Sequence, residues 1–189
     1  VAIVPKRYNY TMDKKIFALS FFICVLIFVA HVIIVGSIVW GDGRYYFTIA
    51  QSLAFDQDFN FENQYSQFSI SEIISETDLR VNKYPPGTSL VWLPFLFTLG
   101  ILHCAFISNI PCNEVGYSLI YPLIAGIINI GIIFAGLYVL YVTLQKYYKK
   151  ETSLYATLLT LFGTNILFYA SFDPVNSHPP SFFFASLLL

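Results

Sequence analysis

Charge is what this chain has least of. Only 11% of its 189 residues are Asp, Glu, Lys or Arg, against about 25% in soluble domains. With 57% hydrophobic residues and a mean hydropathy of +0.66, that scarcity excludes a water-soluble globule and makes the chain an integral membrane protein. Neither sign is in excess. The net charge is −1, so the chain has no basic field of the kind nucleic acid binds. Cysteine is also scarce. Cys24 and Cys104 lie in apolar runs and Cys112 in a short loop, which excludes a disulfide framework and leaves all three as small buried hydrophobes. No initiator Met stands at residue 1, and the final apolar run, 182–189, is shorter than the roughly 20 residues of a span. The chain therefore reads as the N-terminal part of a longer multi-span protein.

Long apolar runs are abundant. They predict helical spans at 16–40, 88–107, 117–144 and 153–172, with a shortened one at 181–189. The expected fold is an all-α integral membrane bundle, with residues 1–189 forming part of one transmembrane domain. Lys6, Arg7, Lys14 and Lys15 near the start face one acid, Asp13, which places the N-terminus in the cytoplasm by the positive-inside rule. A signal peptide shares such a basic start, but its apolar core is shorter, about 7–15 residues. One conflict stays open. If every run crosses once, Lys146, Lys149 and Lys150 fall outside and His178 falls inside. A re-entrant run would bring the lysines inside and set His178 on the side of Asp42.

The polar stretch 41–87 lies between the first two runs and is expected outside the cytoplasm. It opens with Trp40-Gly41-Asp42-Gly43-Arg44-Tyr45-Tyr46. A carboxylate at the edge of hydrocarbon is costly without water or a partner, so Asp42 is a functional candidate. The bland reading is an interfacial turn with an aromatic belt. Flanking glycines permit an unusual backbone and leave room for a ligand. Two helices are expected to lie on the membrane surface here. In the first, Tyr46, Ile49, Ala50, Leu53 and Ala54 share one apolar face. The second opens with the capping box Ser69-Ile70-Ser71-Glu72, with Ile70, Ile73 and Ile74 on one face. Asp56-Gln57-Asp58 between them reads as a turn, with a divalent cation on Asp56 and Asp58 as the weaker alternative. Lys83-Tyr84-Pro85-Pro86-Gly87 breaks the backbone and leads into the second span. Asp173-Pro174-Val175-Asn176-Ser177-His178 is a second polar cluster in an apolar setting. Three more residues read as ordinary packing: a lone His31 within the first run that bonds a neighbouring helix, and His103 with Cys104 as core.

Taken together, Asp42-Gly43-Arg44-Tyr45-Tyr46, then Ser52-Leu53-Ala54-Phe55-Asp56-Gln57-Asp58-Phe59, then Tyr84-Pro85-Pro86-Gly87 and Leu93-Pro94 resemble the start of a GT-C-fold glycosyltransferase. They are similar to the branch that includes the dolichyl-phosphate-mannose protein mannosyltransferases and the lipid A aminoarabinose transferase. The likeness covers roughly residues 16–107. Members carry two acids in a row, where this chain has Asp42-Gly43. The resemblance implies an enzyme that takes a sugar from a polyprenyl-phosphate donor and transfers it to a hydroxyl on protein, lipid or glycan at the extracytoplasmic face, with inversion and without a metal cofactor. A bacterial inner membrane is the expected location. Asp42 would be the general base. Arg44, Arg80, Lys83 and His178 would supply positive charge or donors to the departing phosphate, and Tyr45, Tyr46 and Tyr84 would hold the sugar. The alternative is a non-enzymatic transporter or flippase component for lipid-linked sugars.

Overall fold

The computed structural model describes residues 10–71, 80–106 and 115–189. Among these residues every regular element is helical. In chain order they are α1 (Tyr10–Val35), α2 (Gly43–Gln51) continued by a π-helical turn (Ser52–Asp56), α3 (Glu62–Phe68), α4 (Gly87–Phe106), a 3-10 turn (Val115–Tyr117), α5 (Ile120–Leu144), α6 (Lys150–Phe162), α7 (Ile166–Ser171) and α8 (His178–Leu187). Three stretches, Asp13–Val35, Gly87–Phe106 and Ile120–Leu144, are long and apolar enough to cross a membrane. Large apolar side chains stand on their outer faces; Leu26 is 67% exposed and Ile34 82%. Such a surface points to a lipid bilayer as its medium.

The pair α1 and α5 forms the frame. Phe28 of α1 sits against Gly126 of α5, where an added Cβ would lie 2.5 Å from the ring. Near the other end, the Tyr141 hydroxyl donates to Asp13 at 2.7 Å. The two helices are therefore antiparallel. Gly136 receives α8 instead, since a Cβ there would lie 2.9 Å from the Phe182 ring, while Gly131 faces open space. A five-residue spacing turns about 140° around a helix, so these glycines serve different neighbours. Lys150 Nζ lies 2.5 Å from Asp13 Oδ2. The basic turn after α5 thus shares an end with the start of α1.

In hydrocarbon, apolar burial gains little over contact with lipid, so close packing and buried hydrogen bonds set the arrangement. Asn129 is the main tie. It is fully buried in the middle of α5. Its Oδ1 accepts Trp92 Nε1 of α4 at 2.9 Å, and its Nδ2 donates to the carbonyls of Pro174 and Asn176 at 2.7 and 3.0 Å. One amide joins α4, α5 and the 173–177 segment.

Helix α4 runs back along the first half of α5. Trp92 meets Asn129 near one end, and His103 Nδ1 lies 2.9 Å from the Tyr121 hydroxyl near the other. On its second side it packs on α2 and the π-helical turn. There, Phe55 fills the space over both Gly100 and Gly116. None of these contacts reaches the Asp13 end.

Three sequence expectations change. The 16–40 run is not one helix. It stops at Val35, Gly36 takes φ 74°, and the chain folds back so that Trp40 lies 6.0 Å from His31, ring to ring. The 153–172 run is two helices. Thr164 Oγ1 donates to Thr160 O at 2.7 Å and accepts the Ile166 amide at 3.2 Å, so a side chain replaces the backbone ladder at the break. Cys104 is disulfide-bonded rather than a packed thiol, with its partner outside the described residues, whereas Cys24 is free and buried.

Candidate functional site

Asp42 lies at the N-terminus of α2, exposed, and makes no side-chain capping bond. Its carboxylate is turned to other use: Oδ1 accepts the Tyr84 hydroxyl. The glycines beside it have separate reasons. Gly41 takes φ 42°, a backbone that favours glycine. Gly43 is required by contact, because a Cβ there would overlap the Val175 carbonyl oxygen. The room that the sequence suggested for a ligand at Gly43 is filled by the chain's own 173–177 segment.

Residues 82–89 are held against α2 by three bonds. Asn82 Nδ2 donates to Tyr45 O at 2.9 Å, Asn82 Oδ1 accepts the Tyr84 amide at 3.0 Å, and Ser89 Oγ donates to Tyr46 O at 2.6 Å. These set Tyr84 between Tyr45 and Tyr46, with both ring centroids 5.0 Å away. They also place Lys83 Nζ 5.2 Å from the Tyr45 ring centroid and 5.1 Å from that of Tyr84, a cation–π arrangement. Donation to Asp42, followed by burial and the negative charge of Asp42, pushes the Tyr84 phenol up to about 12. Tyr84 is therefore a proton-holding donor at neutral pH, and it orients the carboxylate.

A second acid comes to this place from far along the chain. Asp173 Oδ2 accepts Asn176 Nδ2 at 3.1 Å, while its Oδ1 is buried without a partner. Burial raises the Asp173 carboxyl above its ordinary value. The Asn176 bond and the charge of His178 pull it down, and the charge of Asp42 pushes it up. His31 also bears on Asp173. It makes no bond to a neighbouring helix through Nδ1, which is buried and unpartnered like Trp40 Nε1. Its ring packs between Trp40 and Phe172, at 6.0 and 5.5 Å. His178 opens α8 with its ring stacked on Tyr169 at 4.0 Å.

Of the candidate residues, Asp42, Tyr45, Tyr46, Lys83 and Tyr84 come together, and His178 lies at the same end through Asp173. Arg44 does not join them. Residues 42 and 44 point about 200° apart around a helix, and the Arg44 guanidinium donates to Phe68 O at 3.3 Å on the far side of α2. Arg80 is paired with Glu62 at 3.2 Å. Asp56 and Asp58 serve the loop. Asp56 Oδ2 accepts Asn63 Nδ2 at 2.8 Å and also Gln64 Nε2; Asp58 Oδ1 accepts Ser52 Oγ at 2.9 Å and the Asn60 amide at 3.1 Å. The turn reading of this pair has a physical basis. The second loop helix is α3, ending at Ser69 with φ 50°, and the helix expected from Ser69 onward falls mainly outside the described residues.

Sequence reasoning passed over Asn129 and Asp173 as site residues. For Asn129 the signal was there: a single amide inside an apolar run of twenty-five residues, a position at which polar side chains mark contacts or function. Comparison with models of known protein families, with curated proteins and with solved structures finds no match.

Proposed function

We propose that this chain carries the acceptor-activating site of a multi-span membrane glycosyltransferase of the GT-C type, using a polyprenyl-phosphate sugar as donor. The observation that carries the reading is the convergence of Asp42, Tyr84, Tyr45, Tyr46 and Lys83 from two segments about forty residues apart. Tyr84 occupies Oδ1 of Asp42 and leaves Oδ2 to take the proton of an acceptor hydroxyl. The hydroxyl oxygen then bonds to the anomeric carbon from the face opposite the leaving group. The bond from that carbon to the phosphate oxygen breaks, and the polyprenyl phosphate leaves with the electron pair. Lys83, held over the Tyr45 and Tyr84 rings, is the cation that joins this cluster, and it meets the developing negative charge. The tyrosine faces suit a sugar ring.

Membrane orientation follows the same reading. The start of α1 and the 146–150 lysines share one end, which the positive-inside rule assigns to the cytoplasm. Asp42 and the 173–178 segment then face the other side. The returning element is α4, and the disulfide at Cys104 suits an oxidising extracytoplasmic compartment.

The test is transfer of radiolabelled sugar from a panel of polyprenyl-phosphate donors in membranes containing the protein. Asp42→Asn keeps the shape and removes the base. A fall of about a hundredfold or more in the variant supports the reading. Undiminished transfer would remove Asp42 from its role. No transfer from any donor by the folded wild type would favour the transporter alternative.

A further inference from the structure

We propose that the cavity between the C-terminal end of α1 and the N-terminal end of α5 binds the phosphodiester head of an anionic phospholipid, with Arg44 as its cation. The site is separate from Asp42 and does not depend on the glycosyltransferase reading. The cavity measures ≈ 400 Å³. Its polar lining includes Arg44, Gln67, Ser69 and Ser118, and among the described residues no Asp or Glu lines it. Among the described residues, the Arg44 side chain makes one hydrogen bond, to Phe68 O at 3.3 Å, and no ion pair. Most of its five N–H groups remain for a ligand, in the planar fork that suits phosphate oxygens.

The cavity is built into the fold. Gln51, 1% exposed, donates to Gln67 Oε1 at 3.0 Å and to the Gly116 carbonyl at 3.1 Å. Both acceptors belong to lining residues, so one buried amide ties α2 to the α3 wall and to the turn before α5. The first turn of α5 supplies another wall through Leu119 and Pro122, and the sign of the helix dipole there agrees with an anion.

The choice of a lipid over a free ion rests on the rim. Leu119 in the wall is 71% exposed, and Ile34, two residues before the lining Gly36, is 82% exposed. A buried-edge cation with hydroxyl and amide donors, beside bare apolar side chains, complements a phosphate that carries acyl chains. Among the described lining residues Arg44 is the charged group, and its cation selects a net anionic head over a zwitterionic one, whose ammonium it would repel.

The test is displacement of a fluorescent phosphatidylglycerol from the purified chain in neutral detergent. Unlabelled phosphatidylglycerol, phosphatidylcholine and inorganic phosphate serve as competitors. Phosphatidylglycerol is expected to compete about tenfold better than phosphatidylcholine, and Arg44→Gln to weaken binding about tenfold, the size of one charged hydrogen-bonded contact. Ser118→Trp, which fills the cavity from the α5 wall and keeps the cation, is expected to do the same. Lys146→Gln, at the opposite end, is expected to change nothing. If one cavity variant fails to fold, the other decides. Equal competition by the two lipids, undiminished binding in the folded cavity variants, or displacement by millimolar phosphate as effective as by the lipid would each overturn the proposal.

Discussion

At one end of the α1–α5 pair, Asp13 is 7% exposed, and a single oxygen of its carboxylate takes both the Tyr141 hydroxyl and the Lys150 ammonium. At the other end, Asp42 is exposed with one phenol on Oδ1, and Asp173 keeps a buried oxygen without a partner. Both ends carry acid, base and tyrosine. What differs is completion. Among the described residues, the Asp13 cluster brings one acid, one base and one hydroxyl together from three helices, and these charges are matched. The Asp42 cluster draws its acids from two distant segments, and its cation rests on tyrosine faces. A matched ion pair in a low-dielectric setting holds structure together. An incompletely matched cluster costs stability and retains capacity to bind or to move a proton. Residue type alone does not separate the two; connectivity does.

The largest expected effect breaks the comparison at the open end. Asp42→Asn should lower sugar transfer by about 10²–10⁴ while leaving the melting temperature nearly unchanged. A large loss of stability would show that Asp42 holds the fold as Asp13 does. Next comes the closed end. Asp13→Ala removes the carboxylate shared by Tyr141 and Lys150 and should cost about 3 kcal/mol of stability, read as a lower melting temperature in detergent, with transfer per folded molecule preserved.

A comparable loss of stability is expected at Asn129, which lies between the two ends. Asn129→Leu leaves Trp92 Nε1 and the Asn176 carbonyl unpaired, while the Pro174 carbonyl keeps the Asn176 amide, a loss of about 1–3 kcal/mol per unsatisfied group before relaxation. It should also release the 173–177 segment from α5, seen as faster amide exchange there than in α1. Unchanged exchange would show that Val175 packing on Gly43 suffices.

The smallest effect is a pH dependence. The Asp173 carboxyl is raised above its ordinary 3.8, so the folded state holds that proton more tightly than the unfolded state. Stability therefore falls as pH rises from 3.8 through the raised value, and the penalty persists at neutral pH. Asp173→Asn should raise the melting temperature at pH 7 and lose that advantage as pH approaches 4. A constant advantage across that range would mean that the carboxyl titrates normally.

How much was legible depends on how local each feature is. Asp42, Tyr45 and Tyr46 lie within one turn of α2, and Lys83 and Tyr84 precede a proline-led helix, so short motifs were enough to mark them. Arg44 belonged to the same motif but not to the same place, because two positions along a helix face opposite ways. Arg80 looked like a free cation until Glu62, eighteen residues earlier, was seen to pair with it. Asp173 comes from 131 positions after Asp42. Only the fold of α5, through Asn129, brings that segment in.

The amino-acid sequence by itself determined that the chain is helical and suited to lipid, because apolar runs of twenty or more residues can satisfy their backbone only as helices in such a medium. It also determined where the acids and tyrosines are dense. The tertiary structure decided which of those groups are spent and which remain open. It divided the 16–40 and 153–172 runs, turned α4 back along α5, and set the Asp13 lysines opposite Asp42. Those outcomes rest on interhelical contacts, such as Phe28 on Gly126, Lys150 on Asp13 and Asn129 on Trp92. Each requires partners far apart in the chain to meet, and hydropathy along one segment carries no record of that meeting.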